Sequence, residues 1–141
     1  ARVRDAVNRN HIEYQKISAL PLPLSIFDWG GLVQTKTGVQ RAYFTLWDDK
    51  IVFEELKHAE DSYVAVARQD TEVQWYLQFA HHPLIGSYQD GGNHVVEISD
   101  LQFSAPARIV KMMGLKRPRN PFTMKITYDA TGKMLNRSFN E

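Results

Sequence analysis

The feature that most constrains this chain is the stretch GLVQTKTGVQRAYFTLWDDKIVFEEL, residues 31–56, which has the apolar alternation of β-strands. Turn-forming residues interrupt it around Thr37-Gly38 and at Asp48-Asp49-Lys50, which predicts strands joined by two turns. The strand between these turns has apolar residues on both faces: Ala42, Phe44 and Leu46 on one, and Val39, Tyr43 and Trp47 on the other. A strand that is apolar on both faces is typical of the centre of a sheet, covered on each side.

Two segments have helical periodicity. Residues 2–17 place one apolar stripe at a spacing close to 3.6, interrupted by Asn10 and His11; its members are Val3, Ala6, Val7, Tyr14 and Ile17. The second helix is predicted to follow Asp70 as its N-cap and to end before Pro83. Thr71 and Gln74 lie at capping-box spacing, which gives an alternative start one residue later.

Four further segments are predicted to be extended. ALPLPLS, residues 19–25, cannot be helical because each proline fixes its own φ and restricts the preceding leucine; FDWGG is then expected to turn the chain. DSYVAVAR, residues 61–68, is a short β-branched run that predicts a strand. FTMKITYDATGKMLNRSF, residues 122–139, predicts a hairpin that turns at residues 129–132.

The fourth segment is HVVEISDLQF, residues 94–103, which follows a loop at DGGN. Val96 and Ile98 share one face of a strand, but Leu101 and Phe103 have the opposite parity. The chain must therefore bulge or turn at Ser99-Asp100 if both pairs are to be buried.

Together these segments predict an α+β fold: a bent, mostly antiparallel sheet of six to seven strands with two main helices packed on it. The 141 residues fit a single soluble domain, residues 1–141. Trp29, Trp47 and Trp75 are expected to fill the core or to line a pocket. A net charge of +1 argues against a nucleic-acid partner, and the absence of cysteine excludes disulfides, thiolate metal sites and a cysteine nucleophile.

Four residues are candidates for a metal or catalytic site: His81, His82, His94 and Asp100. Adjacent histidines point to different sides, and no two histidines have the i, i+4 spacing of a helical zinc site. At the end of a helix, His81 and His82 are better explained as partners of its terminal carbonyl groups. Asp100 could act as a general base, but the favoured interpretation is that its carboxylate accepts backbone N–H groups at the break or pairs with Arg108.

A basic cluster is the candidate for a membrane or anion contact. Its members are Arg108, Lys111, Lys116, Arg117 and Arg119, and they are interleaved with Met112, Met113 and Leu115. Positive charge beside apolar groups suits an anionic membrane surface or a phosphate-bearing ligand, and a solvated loop is the alternative. The sequence has no GxSxG elbow, P-loop, GxGxxG after a strand or EF-hand loop.

In order along the chain, LPLPLSIFDWGG, VQWYLQFAHHPLI, GGNHVVEISDLQF and YDATGKML resemble the C-terminal part of a family of inner-membrane-associated metal-dependent hydrolases. This family is linked by name to LexA-regulated membrane proteins. The family positions matched here are Pro21, Pro23 and Trp29; Trp75, Phe79 and Pro83; and Asp100, Leu101 and Phe103. Gln102 stands where the family pattern has arginine.

The resemblance implies that a multi-helix membrane portion precedes this region and carries the metal-binding histidines and aspartates. This chain would then be a fragment of a longer membrane protein: an extramembrane, non-catalytic module without a cofactor of its own. Its expected partners are the membrane portion of the same protein, a substrate or an anionic membrane surface, at the inner membrane on an unspecified side. Three alternatives remain: a small-molecule-binding module with an aromatic pocket, a metal-dependent hydrolase that uses His81, His82, His94 and Asp100, and a domain that serves only protein interaction.

Overall fold

A computed structural model describes residues 2–21, 28–103 and 122–139. The fold is α+β. The helices are α1 (Arg2–Arg9), α2 (Ser62–Arg68) and α3 (Thr71–Phe79). The strands are β1 (Lys16–Pro21), β2 (Asp28–Gln34), β3 (Gly38–Thr45), β4 (Glu54–Lys57), β5 (Pro83–Asp90), β6 (Asn93–Asp100), β7 (Thr123–Tyr128) and β8 (Met134–Phe139).

The strands form two antiparallel sheets of four rather than the single sheet of six to seven strands that the sequence predicts. The first sheet has the order β1-β2-β3-β4 and the second the order β5-β6-β7-β8, so each is a simple meander. The sequence predicts a strand over residues 61–68, but α2 and α3 lie between β4 and β5 in the chain. The described residues divide into two compact units, each with one sheet: residues 2–56 form the first, and residues 57–103 with 122–139 form the second.

In the first unit, α1 buries Val3, Ala6 and Val7 in one cluster with Val33 and Phe44 of the sheet. The predicted helix over residues 2–17 is too long, because the chain leaves the helix at Asn10. The Asn10 amide and its side chain both donate to the Ala6 carbonyl, at 3.0 and 2.7 Å, and His11 adopts a left-handed φ of 54°. These are features of a helix C-terminus, so the residues that interrupt the stripe are the ones that end the helix.

One prediction about the strands of the first unit is confirmed, and one is wrong. As predicted, β3 lies inside the sheet, between β2 and β4, and its Val39, Ala42 and Phe44 are buried. The predicted turn at FDWGG is wrong, since β2 begins at Asp28 and Trp29 pairs with Phe44. A side chain at Gly31 would begin 3.3 Å from Val3 of α1, so this glycine lets the helix approach the strand closely.

In the second unit, the predicted strand over residues 61–68 is a helix. The Asp61 carboxylate accepts a hydrogen bond from the Val64 amide at 2.8 Å and caps α2. Val64 is buried and Val66 is half exposed, whereas a strand would place both on one face. An N-cap and tertiary burial of Val64 and Ala67 therefore outweigh the β-branched composition of the segment.

The other predictions for the second unit are largely confirmed. Asp70 is the N-cap of α3, and its Oδ1 accepts from the amides of Glu72 and Val73 at 2.9 and 3.3 Å, so the alternative start at Thr71 is wrong. β5 and β6 join across a turn in which Gly91 has a φ of 62°. The hairpin β7–β8 turns at residues 129–132 as expected.

The break at Ser99-Asp100 is the end of β6, which is followed by a single 3-10 turn, Leu101–Phe103, and not by a bulge. Leu101 is buried while Phe103 is exposed, so the parity change buries only one of the two apolar residues.

The core of this unit lies between the two helices and one face of the sheet; its largest fully buried members are Tyr128, Ile85, Ile98, Met124 and Ile126. Within the part of the chain that the structure describes, no helix has the length and hydropathy needed to cross a membrane.

Candidate functional site

Asp100 is the most deeply buried carboxylate among the described residues, with 3% of its surface exposed. Its Oδ2 accepts from the His81 amide at 2.9 Å and from Gln102 Nε2 at 3.1 Å. Its Oδ1 accepts from the amides of His82 and Gln102, at 3.1 and 3.2 Å. The carboxylate therefore ties the segment that follows α3 to the end of β6, because charge-assisted hydrogen bonds to backbone amides are the stronger kind.

Of the four residues proposed from the sequence, the structure brings His81, His82 and Asp100 together, but through the backbone amides of the two histidines. His94 lies elsewhere: six residues separate it from Asp100 along β6, which corresponds to about 20 Å. Across residues 2–21, 28–103 and 122–139 there is no group of three or more histidine, aspartate and glutamate side chains that could hold a metal ion. The basic candidates Arg108, Lys111, Lys116, Arg117 and Arg119 lie outside the described residues.

A second polar cluster, which the sequence did not reveal, joins Asp61, Ser87 and His94. The Ser87 hydroxyl donates to Asp61 Oδ2 at 2.5 Å and makes a short contact with His94 Nε2. His94 Nε2 lies 3.4 Å from the same Asp61 oxygen, and the Tyr63 ring stacks on the imidazole with centroids 4.1 Å apart. Since Asp61 also caps α2, the cluster fastens the start of that helix to β5 and β6.

The cluster contains the residue types of a serine hydrolase but not its geometry. In a catalytic triad the aspartate orients the histidine through the ring nitrogen opposite the serine. Here Asp61 and Ser87 both meet Nε2, and the buried Nδ1 of His94 has no hydrogen-bond partner. If the single hydroxyl proton of Ser87 goes to Asp61, His94 Nε2 must be a donor and cannot remove that proton as a general base.

The Asp61 carboxylate is held in its charged form by the same contacts. Burial alone would raise its pKa, but hydrogen bonds from Ser87 and the Val64 amide, together with nearby His94, bring the pKa below its ordinary value. The loop at DGGN was a signal for a hairpin that would place Ser87 and His94 on adjacent strands, but the sequence analysis predicted only the strand after the loop and not β5 before it. Asp61 was missed because it lay in a segment interpreted as a strand.

His58 is a partly buried polar residue that also accepts a backbone hydrogen bond. Its Nδ1 accepts from the Ile85 amide at 3.2 Å, and the neighbouring Ala59 amide donates to the Ile85 carbonyl at 2.8 Å. Residues 58 and 59 therefore cover part of the outer edge of β5. Burial, the larger cause, and the positive charge of Arg68, the smaller one, both lower the pKa of His58. The lowered pKa favours the neutral ring, which can accept the hydrogen bond.

The second unit exposes large apolar side chains at both ends of its sheet, among them Phe103 and Phe139 at one end and Tyr88 and Leu135 at the other. The prediction that Trp47 and Trp75 fill the core is wrong, since they are 70% and 59% exposed. The exposed rings of the second unit include Trp75, Phe79, Phe103, Phe122 and Phe139. Exposed apolar groups in one region commonly mark an interaction site, whereas single ones do not.

Comparison with known proteins identifies no family, because no family model, no curated protein and no solved structure matches the chain. The fold and these side-chain clusters therefore carry the functional argument.

Proposed function

We propose that this chain is a non-catalytic, extramembrane module of a membrane-bound metal-dependent hydrolase of the family it resembles. The observation that carries this proposal is the engagement of Asp100. A metal ligand or general base must direct an oxygen at an ion or a substrate, and both Asp100 oxygens already accept two N–H donors each. In this proposal the chemistry belongs to the membrane portion, and the module needs no cofactor of its own.

The module would act at the surface of the inner membrane, with the membrane portion of the same protein as its first partner. The basic residues support an additional contact with anionic headgroups, since each Lys or Arg near such a surface contributes about 1 kcal/mol. Those residues are Arg108, Lys111, Lys116, Arg117 and Arg119. The near-neutral charge of the whole chain supports a partner other than nucleic acid.

The metal content of the purified chain tests the non-catalytic part of this proposal. Plasma mass spectrometry after exposure to zinc or manganese, followed by dialysis, is expected to find no stoichiometric ion in the wild type. Asp100→Asn is the informative variant, and Asp90→Asn, which changes an exposed acid at the far end of β5, is the matched control. One ion per chain that Asp100→Asn releases and Asp90→Asn retains would refute the proposal and establish a metal site at the end of β6.

A further inference from the structure

We propose that His58 and Ala59 form a pH-sensitive clasp on the outer edge of β5, which is closed while His58 is neutral and is released when His58 is protonated. The clasp lies in the connection between β4 and α2. A device of this kind controls access to a sheet edge within the second unit, so it is independent of the proposed membrane contact.

β5 is an edge strand, since the strand order of its sheet is β5-β6-β7-β8. Along such a strand, the backbone groups of successive residues point alternately toward the neighbouring strand and outward. Ile85 directs both of its groups outward, to His58 and Ala59, so Pro83 and Ser87 share its orientation. Pro83 has no N–H to offer. Because an unpaired edge readily pairs with another chain, the groups of Ile85 are the ones that must be covered to close the middle of this edge.

Two hydrogen bonds close the clasp. The Ile85 amide donates to Nδ1 of His58 at 3.2 Å, and the Ala59 amide donates to the Ile85 carbonyl at 2.8 Å. Ala59 also packs against the hydrophobic core of the second unit, which holds the segment against the sheet. The clasp therefore satisfies both outward groups of Ile85, as a neighbouring strand would do.

Protonation of His58 removes the acceptor on which the clasp depends. A neutral imidazole has one ring nitrogen that accepts a hydrogen bond, whereas both nitrogens of the charged ring carry a proton. The Nδ1–H of the charged ring would face the Ile85 N–H, and rotation of the ring would present a second N–H and no acceptor. A donor that faces a donor in a partly buried site is unfavourable, so the charged ring must move away from β5.

The surroundings of His58 set the pH range of the release. Burial, the largest cause, and the positive charge of Arg68 on α2 lower the pKa of His58, while the negative charge of Glu60 acts in the opposite direction. The released segment has the ordinary pKa of about 6.5 and therefore takes up a proton more readily than the closed clasp. The clasp is thus fully stable above about pH 6.5 and loses stability as the pH falls below this value.

A second tie to β5 confines the release to the clasp. The Asp61 carboxylate accepts from the Ser87 hydroxyl of β5 and from the Val64 amide of α2. Although burial acts to raise the pKa of Asp61, these hydrogen bonds and nearby His94 bring it below its ordinary value. Asp61 therefore stays charged down to about pH 5 and keeps the start of α2 on β5 while the preceding residues detach.

Amide hydrogen exchange of the purified chain, followed by NMR between about pH 7.5 and 5, tests the clasp. The intrinsic rate of the unfolded chain at each pH is divided by the observed rate, which gives a protection factor for each amide. The protection of Ile85 and Ala59 is expected to be constant above about pH 6.5 and to fall by up to about tenfold for each pH unit below it. The Val64 amide, which is bound to Asp61, should keep its protection and serves as an internal reference.

Two variants assign the effect to the ring nitrogen. His58→Asn places an amide oxygen close to the position of Nδ1, and this acceptor does not titrate, so the protection of Ile85 should not depend on pH. His58→Leu removes the acceptor, so its Ile85 amide should be about three- to tenfold less protected than that of the wild type at neutral pH, with no further fall in acid. His94, which lies beside Asp61, is present in both variants, so its titration cannot account for a difference from the wild type.

Three results would overturn the clasp. The first is an Ile85 protection factor in the wild type that is constant down to about pH 5, and the second is an equal fall in His58→Asn and the wild type. The third is a parallel fall at Val64, which would mean that the whole contact of α2 loosens. If His58→Leu does not fold, the wild type and His58→Asn still decide, because only the titrating ring should respond to pH.

Discussion

Replacing Asp100 by asparagine tests the role of its carboxylate most directly, because the two side chains have nearly the same shape. Asparagine keeps one acceptor oxygen and replaces the other by an NH2 group. If the NH2 group replaces Oδ2, it faces the His81 amide and the Gln102 side-chain nitrogen, which were hydrogen-bonded at 2.9 and 3.1 Å. If the amide flips, the amides of His82 and Gln102 lose their acceptor instead.

Either orientation removes two charge-assisted hydrogen bonds and leaves a donor facing a donor in a buried site. Each such bond contributes about 1.5–3 kcal/mol, and the remaining pair weakens because the acceptor is no longer charged. We therefore expect Asp100→Asn to lower the free energy of unfolding by about 3–6 kcal/mol, a large share of the 5–15 kcal/mol that is typical of a domain. Gln102→Ala, which removes one of the four donors and leaves the carboxylate, should cost only about 0.5–1.5 kcal/mol.

Urea unfolding followed by circular dichroism measures these differences, with the m-value expected to stay constant. Hydrogen exchange adds a local measurement, because the amides of His81 and His82 should lose protection in Asp100→Asn more than the amides of β3 in the first unit. An Asp100→Asn variant within about 0.5 kcal/mol of the wild type, with unchanged exchange at His81 and His82, would contradict the structural role of the carboxylate.

Three further predictions concern the other polar contacts of the second unit. Because burial lowers the pKa of His58, the unfolded chain takes up a proton at this residue more readily than the folded chain. The stability that neutral His58 contributes is therefore complete above about pH 6.5 and is lost as the pH falls below that value. If the urea midpoint depended on pH as steeply in His58→Gln as in the wild type, this prediction would be contradicted. Asp61→Ala should lower the free energy of unfolding by about 1–2 kcal/mol, because it removes the cap of α2. In the wild type, a fluorophosphonate probe should label Ser87 no faster than Ser62. Rapid labelling at Ser87 would instead establish a reactive serine. Arg137→Met should destabilise the unit by about 1 kcal/mol, because Arg137 of β8 forms ion pairs with Asp70 and Glu72. An unchanged midpoint of thermal unfolding would mean that these ion pairs do not contribute to stability.

Sequence patterns predicted the parts of this fold that local rules determine. The Asp70 cap, the turn at DGGN and the hairpin at residues 129–132 depend on a few neighbouring residues, and the structure confirms all three. The segment at residues 61–68 failed because β-branched composition and an aspartate cap favour different structures there. Burial of Val64 in the core decides between them, and that burial depends on strands more than twenty residues away.

The number of sheets and the second polar cluster depend on such distant contacts even more. One strand of the predicted sheet, residues 61–68, is α2, and pairing between distant strands places the eight strands in two sheets. The same error left Asp61 out of the candidate residues, and β5, which carries Ser87, was not predicted as a strand. The function of Asp100 as an acceptor of backbone N–H groups was predictable, because a strand that ends in an aspartate offers a charged acceptor to amides left without partners.

The polar and the aromatic groups of the second unit are placed differently. Asp100, which is buried, and His58, which is partly buried, serve as acceptors for backbone amides, and the Asp61–Ser87–His94 cluster fastens a helix to a hairpin. These contacts hold the unit together, although the Nδ1 of His94 has no hydrogen-bond partner. The largest exposed groups on α3, in contrast, are aromatic, and water around Trp75 and Phe79 is unfavourable until another apolar phase covers them. In the second unit, therefore, the described polar groups join the helices to the strands, while Trp75 and Phe79 stay exposed on the outer side of α3.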